Sequence, residues 1–273
     1  MKKLLVMLLA LVGLAVMIAG CGGDKKEAAK GGDKKAAIKV GATAVPHAEV
    51  LNFVKPALAK QGVEMQVIEF SDYVKPNIAL NDKELDANYF QHMPYLETFI
   101  KDRKLKLASA GNVHIEPMGV YSKKIKALAE LKAGDKVAIP NDPSNGGRAL
   151  AILQSAKLIK LKDGVGIKGT VADIVANEKN LKIMEIEAAL LPRSLDDVTA
   201  AVINCNYAME AKMNPTKDSM FTEPKDSPYA NIVAVRAGDE KRPEIQKLMK
   251  ALQSPEVKKF IEEKYKGAVV PAF

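Results

Sequence analysis

Tryptophan is absent from the 273 residues, and phenylalanine and tyrosine number seven each. Cysteine occurs twice, at Cys21 and Cys205, and histidine three times, at His47, His92 and His114. Two cysteines do not make a disulfide framework or a paired-cysteine zinc site. No two histidines stand four apart and there is no H-E-x-x-H, so a helix-borne zinc pair is excluded. A metal site is open only if the fold gathers His47, His92 and His114. Neither G-x-x-x-x-G-K-[ST] nor G-x-G-x-x-G occurs, which leaves nucleotide binding without a motif. Ser144 lies in no G-x-S-x-G elbow. Asp196-Asp197 reads as helix-start charge rather than an acid/base pair. Cys205 follows Val202 and Ile203 and reads as a buried, inert thiol. No catalytic constellation remains, so an enzyme is not expected.

Charge is present but mixed. Forty-one Lys+Arg against 33 Asp+Glu give +8. Loss of Lys2 and Lys3 with an N-terminal leader lowers this by two, to +6. The lysines are spread along the chain among acids, with no basic–aromatic cluster, so no nucleic-acid partner is expected.

The N-terminus carries an address. Lys2 and Lys3 precede an apolar run over residues 4–18, then Ala19, Gly20 and Cys21. A basic start, a short apolar run and small residues define a secretory signal, residues 1–20. The sequence Ile18-Ala19-Gly20-Cys21 resembles the lipobox of bacterial lipoproteins, which implies cleavage before Cys21 and a diacylglycerol anchor on its thiol. Residues 22–37 (GGDKKEAAKGGDKKAA) have no large apolar side chain and read as a flexible tether. The folded part is therefore expected at the extracytoplasmic face of a cell membrane, held by lipid and not embedded.

From Ile38 onward strand and helix patterns alternate. Strands are expected at 38–42, 65–70, 85–90, 137, 183 and 200–204. Helices are expected at 47–60, through Pro56, from 71–72 to 80, and at 93–103, 125–131, 144–158, 171–176, 242–253 and 255–265. Such alternation argues for an α/β fold with mainly parallel sheet. Two long extended runs, 114–123 and 229–236, bracket a central block. They suggest two lobes, one from residues 38–120 plus 230–273 and the other from 121–229, with a cleft between them.

Residues 141–148 (NDPSNGGR) form the strand-to-helix turn of the second lobe. With Ser144 as N-cap, the next backbone N–H groups are free, Gly146 and Gly147 permit close approach, and Arg148 adds a planar cationic fork. These are parts of a small-anion receptor, although a capped helix with an exposed arginine has the same local pattern. The strand ends 70–73, 88–92 and 204–207 collect aromatic, Asn and His side chains. In open α/β sheets, ligands bind at such carboxyl ends. Guanidinium, amide carbonyls and rings together suit an amino acid or a short peptide.

Six segments, in this order, make the chain recognisable: 69–74 (EFSDYV), 85–95 (LDANYFQHMPY), 116–126 (EPMGVYSKKIK), 138–150 (AIPNDPSNGGRAL), 201–208 (AVINCNYA) and 264–273 (KYKGAVVPAF). They resemble the methionine-binding, NlpA-type lipoproteins, the substrate-binding component of a bacterial methionine ABC importer, over nearly all of 38–273. The resemblance implies a two-lobed, type II periplasmic-binding-protein fold that closes on L-methionine and delivers it to a permease and its ATPase. D-methionine or a methionine-containing dipeptide is the alternative ligand, and a metal-binding lipoprotein the more distant one. By matching position, Arg148 would hold the carboxylate, Asn204 and Asn145 the amino-acid head, and Tyr73, Phe90, His92 and Tyr95 the thioether. A monomer without resident cofactor is implied. Cys205, where many relatives have Thr, is expected to point away in a strand.

Overall fold

In the computed structural model, residues 36–224 and 227–273 are described. The leader, Cys21 and most of the tether lie outside the described residues. Strand β1 (Ala36–Ala42) is followed by a kinked turn over Ala44–Ala48 and helix α1 (Glu49–Lys60). The break falls at Val45, which is extended, so α1 begins two residues later than the pattern suggests. Pro56 does not interrupt it: Pro56 and Asn52, whose carbonyl loses its donor, both face solvent, where water replaces the missing bond. Next come β2 (Val63–Glu69), α2 (Lys75–Asn81), β3 (Ala87–His92), α3 (Met93–Arg103), β4 (Leu107–Ile115) and β5 (Gly119–Tyr121). The central block holds β6 (Lys136–Pro140), α4 (Pro143–Ser155), β7 (Lys160–Leu161), β8 (Ile174–Ala176), β9 (Lys182–Ile186), α5 (Leu191–Ser194), β10 (Ala200–Ile203), α6 (Cys205–Glu210) and β11 (Phe221–Thr222). The chain ends with β12 (Ala230–Arg236), α7 (Pro243–Leu252), α8 (Pro255–Tyr265) and β13 (Val270–Pro271).

These strands form two large sheets, ordered β13-β4-β12-β3-β1-β2 and β11-β5-β10-β6-β9, with β7 and β8 as a separate ribbon. Both are mixed, not mainly parallel. In the first, β1 runs parallel to β2 and β3, but β12 is antiparallel to both β3 and β4. In the second, β6 runs parallel to β9 and β10, while β5 is antiparallel to β10 and β11. Of the antiparallel members, β5 and β12 fall in the two extended runs, which join their sheets without a crossover helix. Each sheet has its own core. Val40, Leu51, Tyr89, Leu248 and Ile261 pack around the first, and Val120, Ile139, Leu150, Leu153 and Val202 around the second.

Two expected helices are single 3₁₀ turns. At 125–131 only Leu128–Glu130 is helical, and Glu130 Oε1 turns back to accept from the N–H groups of Lys126 and Ala127. At 171–176 the turn Val171–Asp173 is closed by Asp173, which accepts from the Thr170 N–H and hydroxyl; the chain then extends into β8. In both, the carboxylate satisfies N–H groups at the start of the turn that have no helical partner of their own. α6 is the reverse case: strand β10 stops at Ile203, and Cys205 opens a helix instead of continuing the strand.

Candidate functional site

The loops at the carboxyl ends of β2, β3, β6 and β10 meet over one cavity. It is lined by Tyr73, Phe90, His92, Tyr95, Asn145, Arg148 and Asn204, all seven residues singled out from the sequence. Gln91, Glu116, Cys205, Asn206 and Asn231 complete the wall. As the side chains stand, about 20 Å³ of free room remains, close to that of one water. A groove of about 790 Å³ along residues 154–179 is open to solvent and has no aromatic or histidine wall.

A bulge aims the aromatic run. Along β3 and β12, Gln91 pairs with Ile232 and Tyr89 with Val233, so Phe90 is the extra residue. Phe90 and His92 face the cavity, whereas Tyr89 bonds His114 on the other side. Phe90, Tyr95 and Tyr73 form the apolar wall, with ring centroids 5.8–6.1 Å apart. His92 is also the N-cap of α3: its Nδ1 accepts from the Tyr95 N–H, which leaves the proton on Nε2 to donate to Asn145 Oδ1 at 3.1 Å. Burial, then the neighbouring Arg148 charge, lowers the His92 pKa to about 3, so the ring is neutral.

The turn before α4 departs from its expected roles. The N-cap is Asp142, not Ser144; its carboxylate accepts from the Asn145 N–H at 2.8 Å. A protein anion thus occupies the helix start that would have received an external one. Burial raises the Asp142 pKa, and hydrogen bonds from Asn145 and the Ser144 backbone pull against the rise. Gly147 meets protein, not ligand: a Cβ there would lie 2.9 Å from the Ile167 carbonyl carbon and 3.1 Å from the Gly169 oxygen. Asn145 is fully engaged, donating to Asp142 and accepting from His92 and Asn204. That leaves Asn204 Oδ1 buried without a partner, and Asn206 Nδ2 likewise.

Arg148 is 3% exposed and is not a free fork. Its Nε donates to Glu223 Oε2 at 3.0 Å and its Nη2 to Glu223 Oε1 and, at 2.8 Å, to the Glu116 carbonyl. The Tyr229 ring covers one face, 4.0 Å from the guanidinium carbon. Among the described residues, Nη1 has no hydrogen-bond partner.

Glu116 is the other charge in the wall. Its Oε1 lies 2.7 Å from His114 Nε2 and 3.0 Å from His47 Nε2. Thr43 Oγ1 stands 2.7 Å from His47 Nδ1, and the Tyr89 hydroxyl meets His114 Nδ1. With the Tyr89 hydroxyl donating, His114 keeps its proton on Nε2 and donates it to the carboxylate, whereas His47 Nε2 lies 3.0 Å from both the carboxylate and Asn231 Oδ1. Burial pushes Glu116 up, but the two imidazoles more than offset this and hold it below the ordinary carboxylate range. The three-histidine metal set is not assembled. His47 and His114 come together with Glu116, their donor atoms within 4.8 Å of one another, while His92 bonds Asn145. The trio has metal-binding donor types, yet its donor atoms are engaged with one another and with Thr43, Tyr89 and Asn231.

Cys205 is not in a strand. As first residue of α6 it lines the cavity, and its thiol donates to the Ala268 carbonyl at 3.3 Å. Burial raises its pKa well above the usual value, so it is a protonated thiol. Glu116, Glu223, Asn206 and Asn231 were not singled out from sequence. Asn206 lay in the 204–207 strand end and Glu116 in the 116–126 segment, and Asn231 stood out as the one polar residue inside an apolar strand.

Residues 38–273 match the family model described as NlpA lipoprotein. The chain belongs to the NlpA lipoprotein family. It is 46% identical over 264 residues to the D-methionine-binding lipoprotein MetQ of Salmonella typhimurium, spanning 96% of this chain and 94% of that one. A nutrient binding protein from Burkholderia cenocepacia, solved bound to methionine, superposes with a TM-score of 0.84 at 53% identity, covering 86% of this chain and all of the other. A solved methionine-binding protein MetQ gives a TM-score of 0.84 at 45% identity over 87% of this chain and 98% of its own. The NlpA-type fold is thus the α/β, periplasmic-binding-protein architecture that the six sequence segments suggested.

Proposed function

We propose that this NlpA-family chain captures L-methionine in the cavity beneath Tyr73 and delivers it to an ABC permease and its ATPase. One observation carries the reading: a polar end with both charges beside an aromatic end. Glu116 and the orphan Asn204 Oδ1 would accept from the ammonium, and Arg148 Nη1 would donate to the carboxylate. Tyr73, Phe90 and Tyr95 would pack on the thioether, whose sulfur suits aromatic edges. With free room of about one water, an amino acid enters by separation of the two sheets and their loops. Residues 38–120 plus 230–273 then act as one lobe and 121–229 as the other, and the chain works as a monomer that performs no chemistry. The names of its relatives support methionine as the ligand class. Lipidation of Cys21 after removal of 1–20 would hold the protein on the extracytoplasmic face; no described helix is long and apolar enough to span a membrane.

The test is native mass spectrometry of the chain lacking residues 1–21, then unfolding, refolding and calorimetry with L-methionine, D-methionine and a methionyl dipeptide. One-to-one binding strongest for L-methionine is expected. Preference for either other ligand changes the substrate, and binding of none overturns the reading. Cys21→Ala should move the full-length protein from the membrane to the soluble fraction; continued anchoring would refute the lipid attachment.

A further inference from the structure

The two charges offered to a zwitterion are not equivalent. Arg148 is already balanced: Glu223 holds both its Nε and Nη2, and Glu223 is itself fixed by the Met118 N–H at 2.9 Å. A ligand carboxylate would approach a guanidinium that has an anion on it, and would find only Nη1. Glu116 is the opposite case. Its carboxylate is in the cavity wall and accepts from His114 Nε2 at 2.7 Å, with His47 Nε2 3.0 Å away. Among the described residues, no Lys or Arg forms an ion pair with it. Apart from the imidazoles, Arg148 stands beside two carboxylates, Glu223 and Glu116, and Glu223 already holds it, so a ligand ammonium has the Glu116 carboxylate to meet. Asn204 Oδ1, buried and unpartnered, adds a second acceptor.

We propose, resting on the methionine reading, that the cavity recognises its ligand through a free α-ammonium and tolerates a masked carboxylate, with Glu116 and Glu223 as the residues that set this asymmetry. The ligand class is then the primary amine of a thioether amino acid, including its amide and ester. Analogues that keep the carboxylate but lose the ammonium are rejected, because they place a second anion beside Glu116 and leave buried acceptors unpaired.

The experiment is competition calorimetry on the unmodified chain lacking residues 1–21. The ligands are methionine, methionine amide, N-acetylmethionine and 2-hydroxy-4-(methylthio)butanoate. The amide is expected within about tenfold of methionine, and the two amine-blocked or amine-free analogues weaker by about 100-fold or more. An amide loss as large as that of the hydroxy acid, or larger, overturns the proposal and leaves the methionine reading intact. No binding of methionine itself overturns both. Glu223→Gln, which releases Arg148 from its carboxylate, should move the hydroxy-acid-to-amide affinity ratio toward the hydroxy acid by about tenfold; an unchanged ratio in a folded variant also refutes the assignment. If that variant does not fold, the ligand series on the unmodified chain decides.

Discussion

Gly147→Ala is the substitution whose outcome the structure determines most directly. Gly147 lies in the first turns of α4, one residue before Arg148, and a Cβ there would run into the Ile167 carbonyl oxygen, lying 2.9 Å from its carbon and 3.1 Å from the Gly169 oxygen. The obstacle is backbone, so no rotamer change relieves it; either the 166–169 turn or the helix must move. Overpacking of this kind costs ~3 kcal/mol at the upper end, against about 1 kcal/mol gained from alanine's helix propensity. A net loss of about 2 kcal/mol corresponds to a melting point lower by roughly 4–8 °C for a fold of this size. Because Arg148 is the next residue, displacement of the helix also loosens its contacts with Glu223 and Tyr229. Thermal melts with and without methionine, read by circular dichroism, give both effects, with weaker stabilisation by ligand in the variant. A melting point equal to or above that of the parent, with unaltered ligand stabilisation, would refute the packing argument.

Arg148→Ala should destabilise the protein by about 3–5 kcal/mol as well as weaken methionine binding, since it strands Glu223 buried and unpaired; urea unfolding should show part of the loss restored by Glu223→Gln in the same chain. His92, neutral when folded with a pKa near 3 against 6.5 when unfolded, contributes stability that is full above pH 6.5 and lost as pH falls toward 3. Glu116, whose pKa is lowered on folding, adds a loss in the same direction below its ordinary 4.5. Unfolding midpoints should therefore fall from pH 7.5 to pH 5, and by less in His92→Gln; an equal fall in both would remove His92 from the explanation. Asn206→Ala removes the acceptor of the Tyr73 hydroxyl, a bond between the loop after β2 and the start of α6. Loss of one such bond, about 0.5–1.5 kcal/mol, should speed methionine release by roughly two- to tenfold in stopped-flow measurements, and an unchanged off-rate would show that this contact does not hold the cleft.

Periodicity and punctuation determined much of this protein. Apolar spacing and proline-started helices located α3, α7 and α8 to within a residue or two, because those helices bury one regular face and their starts are marked locally. The seven site residues came from the resemblance, by matching position; the strand ends, which gather Tyr, His and Asn in a chain poor in rings, pointed only to the region where they meet. Which partners each of them meets was decided only by the fold. Arg148 reads as a free fork until Glu223, 75 positions away, closes on it. Ser144 reads as the cap until Asp142 takes the helix start, and Gly147 as an opening for ligand until the 166–169 turn fills it. The first sheet is mixed because β12 returns between β3 and β4, and the second because β5 pairs antiparallel with β10 and β11, pairings that no local pattern encodes. Local propensity acts over a few residues, whereas charge balance, hydrogen-bond saturation and strand order depend on partners brought from far along the chain. Those partners, Glu116 with His47 and Glu223 with Arg148, are what turn a collection of suitable side chains into a site with a preferred end.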